Sequence, residues 1–246
     1  MARDPTGKRK RTLLLGLALA CAILFLALGI WQVQRRAWKL ALIAAVEERV
    51  HAPPLDAPSP AVWQPVDATR SAYCHVRVQG QFLHNRDTLV QALTEEGAGF
   101  WVLTPFLTRQ GFIVLVNRGF VPADWSPQGP LPSDRGGEVV VTGLLRISEP
   151  GGGFLRSNDP VADRWFSRDV RAIAAKRGLH NLTPYFIDAD ASPRAVGWPR
   201  GGMTIVRFPN NHLIYSLTWF ALALLSLAGF VLVLRPDRRD NGEAAR

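Results

Sequence analysis

The residues best suited to bind a ligand lie at the start of a long apolar run near the C-terminus. His212, Tyr215 and Trp219 stand at positions i, i+3 and i+7, so a helix would place them on one face. An imidazole is a common axial ligand of haem iron, and an aromatic ring one or two turns away could pack on a porphyrin. The pattern alone leaves a second interpretation open, in which these three residues anchor a helix at a membrane surface.

Other reactive side chains show none of the spacings that enzymes use. No serine lies in a Gly-x-Ser-x-Gly context, and no histidine pair has the His-Glu-x-x-His spacing of a metal site. The histidines are instead far apart in the sequence: His51, His75, His84, His180 and His212. We therefore expect a protein that is not an enzyme.

The chain is basic, with a formal net charge of +9 over 246 residues. Its arginines are scattered singly through the middle of the chain, and no nucleic-acid-binding motif accompanies them. We therefore expect no nucleic-acid partner. Anionic lipid headgroups, an acidic protein or a carboxylate-bearing ligand fit this charge better.

Two apolar runs determine the organisation of the chain. Residues 13–30 and 213–234 form runs of about 18 and about 22 residues, within the range that spans a bilayer as a helix. The small residues before Cys21 match a signal cleavage site only loosely, so we expect an uncleaved anchor. We predict a basic tail at 1–11, a transmembrane helix at 12–33, a domain at 34–211, a second transmembrane helix at 212–234 and a tail at 235–246.

The basic residues predict which side of the membrane holds the domain. Short basic tails stay in the cytoplasm, whereas long loops translocate largely regardless of charge. The tail cations are Arg3, Lys8, Arg9, Lys10, Arg11, Arg235, Arg238 and Arg239. Arg35, Arg36 and Lys39 weaken the argument at the first span, but only Arg207 lies close before the second. We expect a multi-pass protein of a bacterial inner membrane with a periplasmic central domain.

The middle segment has the pattern of one α+β domain. We expect the first helix to continue past the membrane surface as far as the Pro53-Pro54 pair. Period-2 alternation and apolar runs predict strands at 74–82, 88–93, 100–107, 112–116, 139–147, 185–188 and 203–208. A short helix should begin at Ser167 or Asp169 and end at Gly178, after a loop over 149–163 without helix or ladder. The predicted fold is thus two transmembrane α-helices flanking an extracytoplasmic α+β domain built on an antiparallel β-sheet or small barrel.

Several segments, in this order, resemble one known family. They are GIWQVQRRAWKLALI at 29–43, VNRGFVP at 116–122, SEP at 148–150, NDP at 158–160, WFSRD at 165–169, GGMT at 201–204 and NNHLIYSLTW at 210–219. In combination they are similar to the surfeit-locus-one family, the cytochrome c oxidase assembly factors also called Shy-type proteins. The likeness covers the chain from about residue 29 into the second apolar run.

The resemblance implies a factor for the maturation of haem–copper oxidase that binds haem a and aids its insertion into the catalytic subunit. The family's histidine at the start of the second span, with a tryptophan two turns on, corresponds to His212 and Trp219, which makes His212 the expected iron ligand. Arg35 and Arg36 could pair with the haem carboxylates or, equally well, with lipid phosphates. The implied partners are the oxidase catalytic subunit, membrane lipid and, as a further candidate, haem a synthase.

Two other classes of function stay open. One is a pure scaffold that stabilises an oxidase assembly intermediate without binding haem, and the other is an enzyme or transporter accessory unrelated to haem. Asn117, Arg118, Arg168 and Asp169 match the family segments inside the domain. We expect them to fix strand ends and loops more often than to contact a cofactor.

Overall fold

A computed structural model describes residues 5–63, 71–83, 85–126, 137–153, 155–192, 197–204, 208 and 210–235. The predicted tail residues Arg3, Arg238 and Arg239, together with Arg207 and His84, lie outside this described part. Contacts divide the chain into two compact units, one of Met1–Ala44 with Arg207–Arg246 and one of Ala45–Val206.

The first unit contains the two apolar segments as helices. Helix α1 runs without interruption over Pro5–His51, 47 residues, and α3 runs over His212–Leu234. Both helices are long and apolar enough to cross a membrane. Helix α1 continues well beyond its apolar run, as predicted, and ends just before Pro53 because the residue that precedes a proline is disfavoured in helical conformation.

The two helices of this unit run antiparallel. The Arg11 guanidinium near the start of α1 donates to the Val233 and Leu234 carbonyls at the end of α3, at 3.0 and 2.8 Å. Gly29 meets the ring of Phe220, and a Cβ added there would lie 2.5 Å from a ring carbon. The glycine therefore allows α3 to approach α1 closely, as small residues do in membrane helix pairs.

The second unit is built on a barrel. Its strands are β1 (Leu55–Asp56), β2 (His75–Phe82), β3 (Thr88–Thr94), β4 (Gly97–Thr108), β5 (Ile113–Pro122), β6 (Val139–Ile147), β7 (Gly152–Gly153), β8 (Arg156–Ser157) and β9 (Leu182–Ala189). Five of them pair in the order β2-β6-β9-β5-β4, and the pairing of β2 with β4 closes the ring. Outside this ring, β1 pairs with β2 and β3 pairs with β4. The predicted small barrel is confirmed.

Alternation along the strands gives the barrel two apolar surfaces. One buried cluster takes side chains from all five barrel strands, including Val76, Phe106 and Tyr185, and fills the interior. The other joins Leu115 and Phe186, on the opposite faces of their strands, to helix α2 (Val170–Arg177). The short helix therefore covers the outside of β5 and β9.

The structure corrects three details of the predicted elements. Strands β5 and β9 pair in parallel, so the barrel is not purely antiparallel. The loop over 149–163 contains a small ladder, because β7 and β8 form a two-stranded hairpin. Met203, Thr204 and Phe208 lie outside any strand, and the residues at 205–207 are not described. Asp169, rather than Ser167, caps α2, and Gly178 ends it at a φ of 61° as predicted.

Candidate functional site

The candidate ligand His212 is the first residue of α3 and contacts α1. Its Nδ1 lies 2.7 Å from the side-chain oxygen Oε1 of Gln32. Its other ring nitrogen, Nε2, has no hydrogen-bond partner in the part of the chain that the structure describes. The half-buried imidazole is thus held at one nitrogen and available at the other.

Trp219, two turns after His212, packs against α1. Its ring stacks on that of Phe25 with the centroids 5.7 Å apart and the planes 25° from parallel. Ser216, between these two residues on the same face, is only 3% exposed. Tyr215 is 55% exposed and lies at the edge of this face. His212 and Trp219 therefore both contact α1, while Tyr215 borders the contact and remains accessible.

The two adjacent arginines of the predicted site have different surroundings. The Arg35 guanidinium lies 4.1 Å above the ring of Trp38, and the residue is exposed. Arg36 is half-buried, lies one turn beyond Gln32 on the same face of α1, and has no ion-pair or hydrogen-bond partner among the described residues. Of the two arginines, Arg36 is the one that lies on the face that holds Gln32.

The residues of α1 that meet His212 and Trp219 were not among the residues predicted from the sequence. Gln32, Phe25 and Gly29 appeared only as parts of an apolar run or of a family segment. A signal was available in the alternating spacing of three and four residues, which is typical of a helix–helix contact face. The less exposed positions that follow it are Leu15, Ala18, Ala22, Phe25, Gly29, Gln32 and Arg36.

A second polar cluster lies in the barrel unit around Asp188, which is 3% exposed. Its carboxylate accepts hydrogen bonds from Asn117 at 2.7 Å and Arg146 at 2.7 Å, and from the Thr204 hydroxyl at 3.0 Å. Arg168 donates to the same carboxylate at 3.2 Å. The cluster joins β5, β6 and β9 to the segment that follows the barrel.

The charges of this cluster balance. Arg168 also forms a two-pronged ion pair with Glu149, at 2.6 and 3.0 Å, so two arginines face two carboxylates. Burial alone lowers the pKa of Arg168, but the charges of Asp188 and Glu149 outweigh it and raise that pKa above its usual value. With each charge paired, the cluster has the character of a structural network.

The remaining family-segment residues of the barrel unit also support local structure. Asp169 accepts a hydrogen bond from the Ala172 amide at 3.0 Å and so caps α2. The Arg118 guanidinium lies over the ring of Phe82 at 4.5 Å. Asn117 and Arg168 belong to the Asp188 network. All four residues thus make contacts within the barrel unit.

Comparisons with known proteins place the whole arrangement in one family. The model of the SURF1 family matches residues 19–224. Surfeit locus protein 1 of Rattus norvegicus is 36% identical over 212 residues, which cover 79% of this chain and 67% of the rat protein. The Homo sapiens protein is 38% identical over 214 residues, covering 80% and 69%. The SURF1-like protein of Monosiga brevicollis is 33% identical over 238 residues, covering 91% and 88%. This chain therefore belongs to the SURF1 family, which is known as a family of cytochrome oxidase assembly factors.

Proposed function

We propose that this protein binds haem a at the membrane surface and aids its insertion into the catalytic subunit of haem–copper cytochrome c oxidase, without catalysing a reaction itself. Family membership supports the role in oxidase assembly. The observation that carries the haem proposal is the state of His212, whose Nδ1 is hydrogen-bonded while its Nε2 is available. Haem is the cargo in this proposal, and it supplies the redox-active iron that the oxidase needs.

The residues of the helix pair fit such a cargo. An imidazole bonded at one nitrogen is the usual form of a histidine that ligates a metal through the other. Trp219 and Phe25 offer a flat aromatic surface on the His212 side of α3. Arg36 offers a positive charge for a carboxylate. Exposed apolar side chains along both helices would keep the hydrophobic tail of haem a in lipid.

The proposal includes a cellular location and partners. We place the protein in a bacterial inner membrane, with the barrel unit periplasmic and both tails cytoplasmic. Besides the oxidase subunit and membrane lipid, haem a synthase is a suitable partner, since a carrier must receive haem a from the enzyme that makes it. The competing scaffold function needs the same oxidase contact but no available imidazole.

The haem proposal is tested by spectroscopy on the purified protein. The full chain is co-expressed with a haem a biosynthetic pathway, and the haem bound per protein is measured by absorption. We expect His212→Ala to lose most of the haem or shift its spectrum while the protein still inserts in the membrane. Trp219→Leu keeps the ligand and should lose less. A full complement of haem with an unchanged spectrum in His212→Ala would rule out this ligand.

The assembly role has a test of its own. Deleting the protein should lower haem–copper oxidase activity and leave other respiratory activities intact, with residual oxidase because an assembly factor accelerates maturation without supplying the chemistry. Unchanged oxidase activity, with any paralogue also removed, would contradict the role. A wild-type protein that restores the oxidase but purifies without haem would favour the scaffold function.

A further inference from the structure

We infer that Gln32 is a positioning residue that holds His212 in the tautomer whose Nε2 can bind iron. This inference rests on the proposed haem-binding function and deepens it. It starts from a single contact between α1 and α3, in which Gln32 Oε1 and His212 Nδ1 lie 2.7 Å apart although the residues are 180 positions apart in the chain. The distance is that of a short, well-formed hydrogen bond.

The chemistry of the two groups determines where the proton is. The amide oxygen of glutamine can only accept, so His212 must carry its hydrogen on Nδ1 and donate it. A neutral imidazole has only one such hydrogen, and the lone pair is therefore left on Nε2. An amide turned the other way would donate to Nδ1 and move the hydrogen to Nε2, where it would block a metal. The Gln32 oxygen thus selects the binding-competent form.

Neighbouring helix–helix contacts support this hydrogen bond from the side nearer the middle of α1 and α3. Gly29, three residues before Gln32, lets the Phe220 ring pack directly against the α1 backbone. The stack of Phe25 on Trp219 adds a second contact between the helices. Because Gln32 and His212 are both half-buried, water competes less for their hydrogen bond than at an exposed site. The ring orientation of His212 is therefore defined before any ligand arrives.

A positioning role and a merely structural contact predict different mutant behaviour. Gln32→Leu removes the acceptor and should weaken haem binding by about 10- to 100-fold, the usual loss when the outer partner of a metal-ligating histidine is removed. Gln32→Glu keeps an acceptor at the same distance and should keep the affinity within a fewfold of wild type. A carboxylate also makes the imidazole a stronger donor, which should lower the midpoint potential of the bound haem.

The experiment uses the full-length protein in nanodiscs, titrated with haemin at pH 8, with affinity and midpoint potential as readouts. Gln34→Leu is the matched control, because Gln34 is an exposed glutamine on another face of the same helix. We expect weak binding only in Gln32→Leu and a lowered potential in Gln32→Glu. Equal affinity in Gln32→Leu and Gln34→Leu would overturn the positioning role, and so would an equal loss in Gln32→Leu and Gln32→Glu. His212→Ala is run in parallel, and its unchanged binding would instead overturn the proposed haem site.

Discussion

Two adjacent arginines show how strongly the local environment separates residues of the same type. Arg35 lies over the Trp38 ring, whereas Arg36 shares the α1 face of Gln32 and has no partner among the described residues. From the sequence both were expected to act as one pair, because both follow the first apolar run. We therefore propose Arg36, rather than Arg35, as the partner of a haem carboxylate.

Arg36 and Arg35 should therefore differ when each is made neutral. We expect Arg36→Gln to weaken haemin binding severalfold, since a charge-assisted hydrogen bond to a carboxylate is lost. Arg35→Gln is the control and should bind as the wild type does. The measurement is a haemin titration in nanodiscs, repeated with haemin dimethyl ester, whose blocked carboxylates should abolish the difference. Unchanged haemin binding in both variants would indicate that the arginines bind lipid phosphates instead.

The same comparison shows what residue spacing can predict. His212 and Trp219 were expected on one face from their i and i+7 positions, and both do contact α1. Tyr215, at i+3, lies to one side of the face that joins His212 and Trp219, because three residues fall short of a full helical turn. Its side chain is therefore exposed. Gln32 could not be assigned to His212 from the sequence, because their contact depends on the register between two helices.

Among the elements, the start of β2 is secured by a charged histidine. His75 Nδ1 lies 2.9 Å from the Ala52 carbonyl oxygen, and its Nε2 lies 2.8 Å from the Asp190 carboxylate. Both partners accept hydrogen bonds, so both ring nitrogens must donate and the ring is positively charged. Burial lowers the pKa of His75, but the bonds to Asp190 and Ala52 outweigh it and raise that pKa above 6.5. One ring thus ties the segment after α1 to the segment after β9.

This contact should make the stability of the barrel unit depend on pH. A histidine whose pKa is raised in the folded state stabilises fully below its unfolded pKa of about 6.5, and the stabilisation is lost as pH rises through the folded pKa. We expect the free energy of unfolding of the wild type to exceed that of His75→Gln by about 1 kcal/mol at pH 6 and by less at pH 8.5. Thermal unfolding of the full chain measures the difference, with Asp190→Asn and the double mutant as controls. A difference that grows with pH would contradict the charged ring.

Local patterns predicted the strands better than they predicted the pairing between strands. Strand β6 has the predicted bounds, and its mainly apolar run ends directly before Ser148-Glu149-Pro150. The closure of the barrel depends on Gly80, where an added Cβ would lie 2.0 Å from the Leu107 carbonyl oxygen. The parallel pairing of β5 with β9 joins segments that β6 and α2 separate in the chain. The alternation of residues within a single strand does not reveal either of these long-range pairings.

At the scale of the whole molecule, the antiparallel arrangement brings the start of α1 and the end of α3 to the same end of the helix pair. Arg11 donates to the last carbonyls of α3, where a cation is favourable both for the hydrogen bonds and for the helix dipole. This contact agrees with the even number of spans predicted from the sequence. Lys8, Arg9, Lys10 and Arg11 cluster at this end, and Arg35, Arg36 and Lys39 lie near the other. Charge therefore favours one orientation, although both ends carry cations.

The orientation of the helix pair in the membrane can be tested with reporter fusions. We expect the end with Lys8, Arg9, Lys10 and Arg11 to stay in the cytoplasm, because more cations flank it and the long segment between the helices translocates regardless of its charge. An alkaline phosphatase reporter fused after Arg235 should be inactive, and one inserted at Gln128, which lies outside the described residues, should be active. A green fluorescent protein at the same two sites is the reciprocal control and should fluoresce only after Arg235. Active phosphatase after Arg235 with none at Gln128 would reverse the orientation. It would also move His212 and Gln32 to the cytoplasmic face, so haem a would have to be delivered from that side.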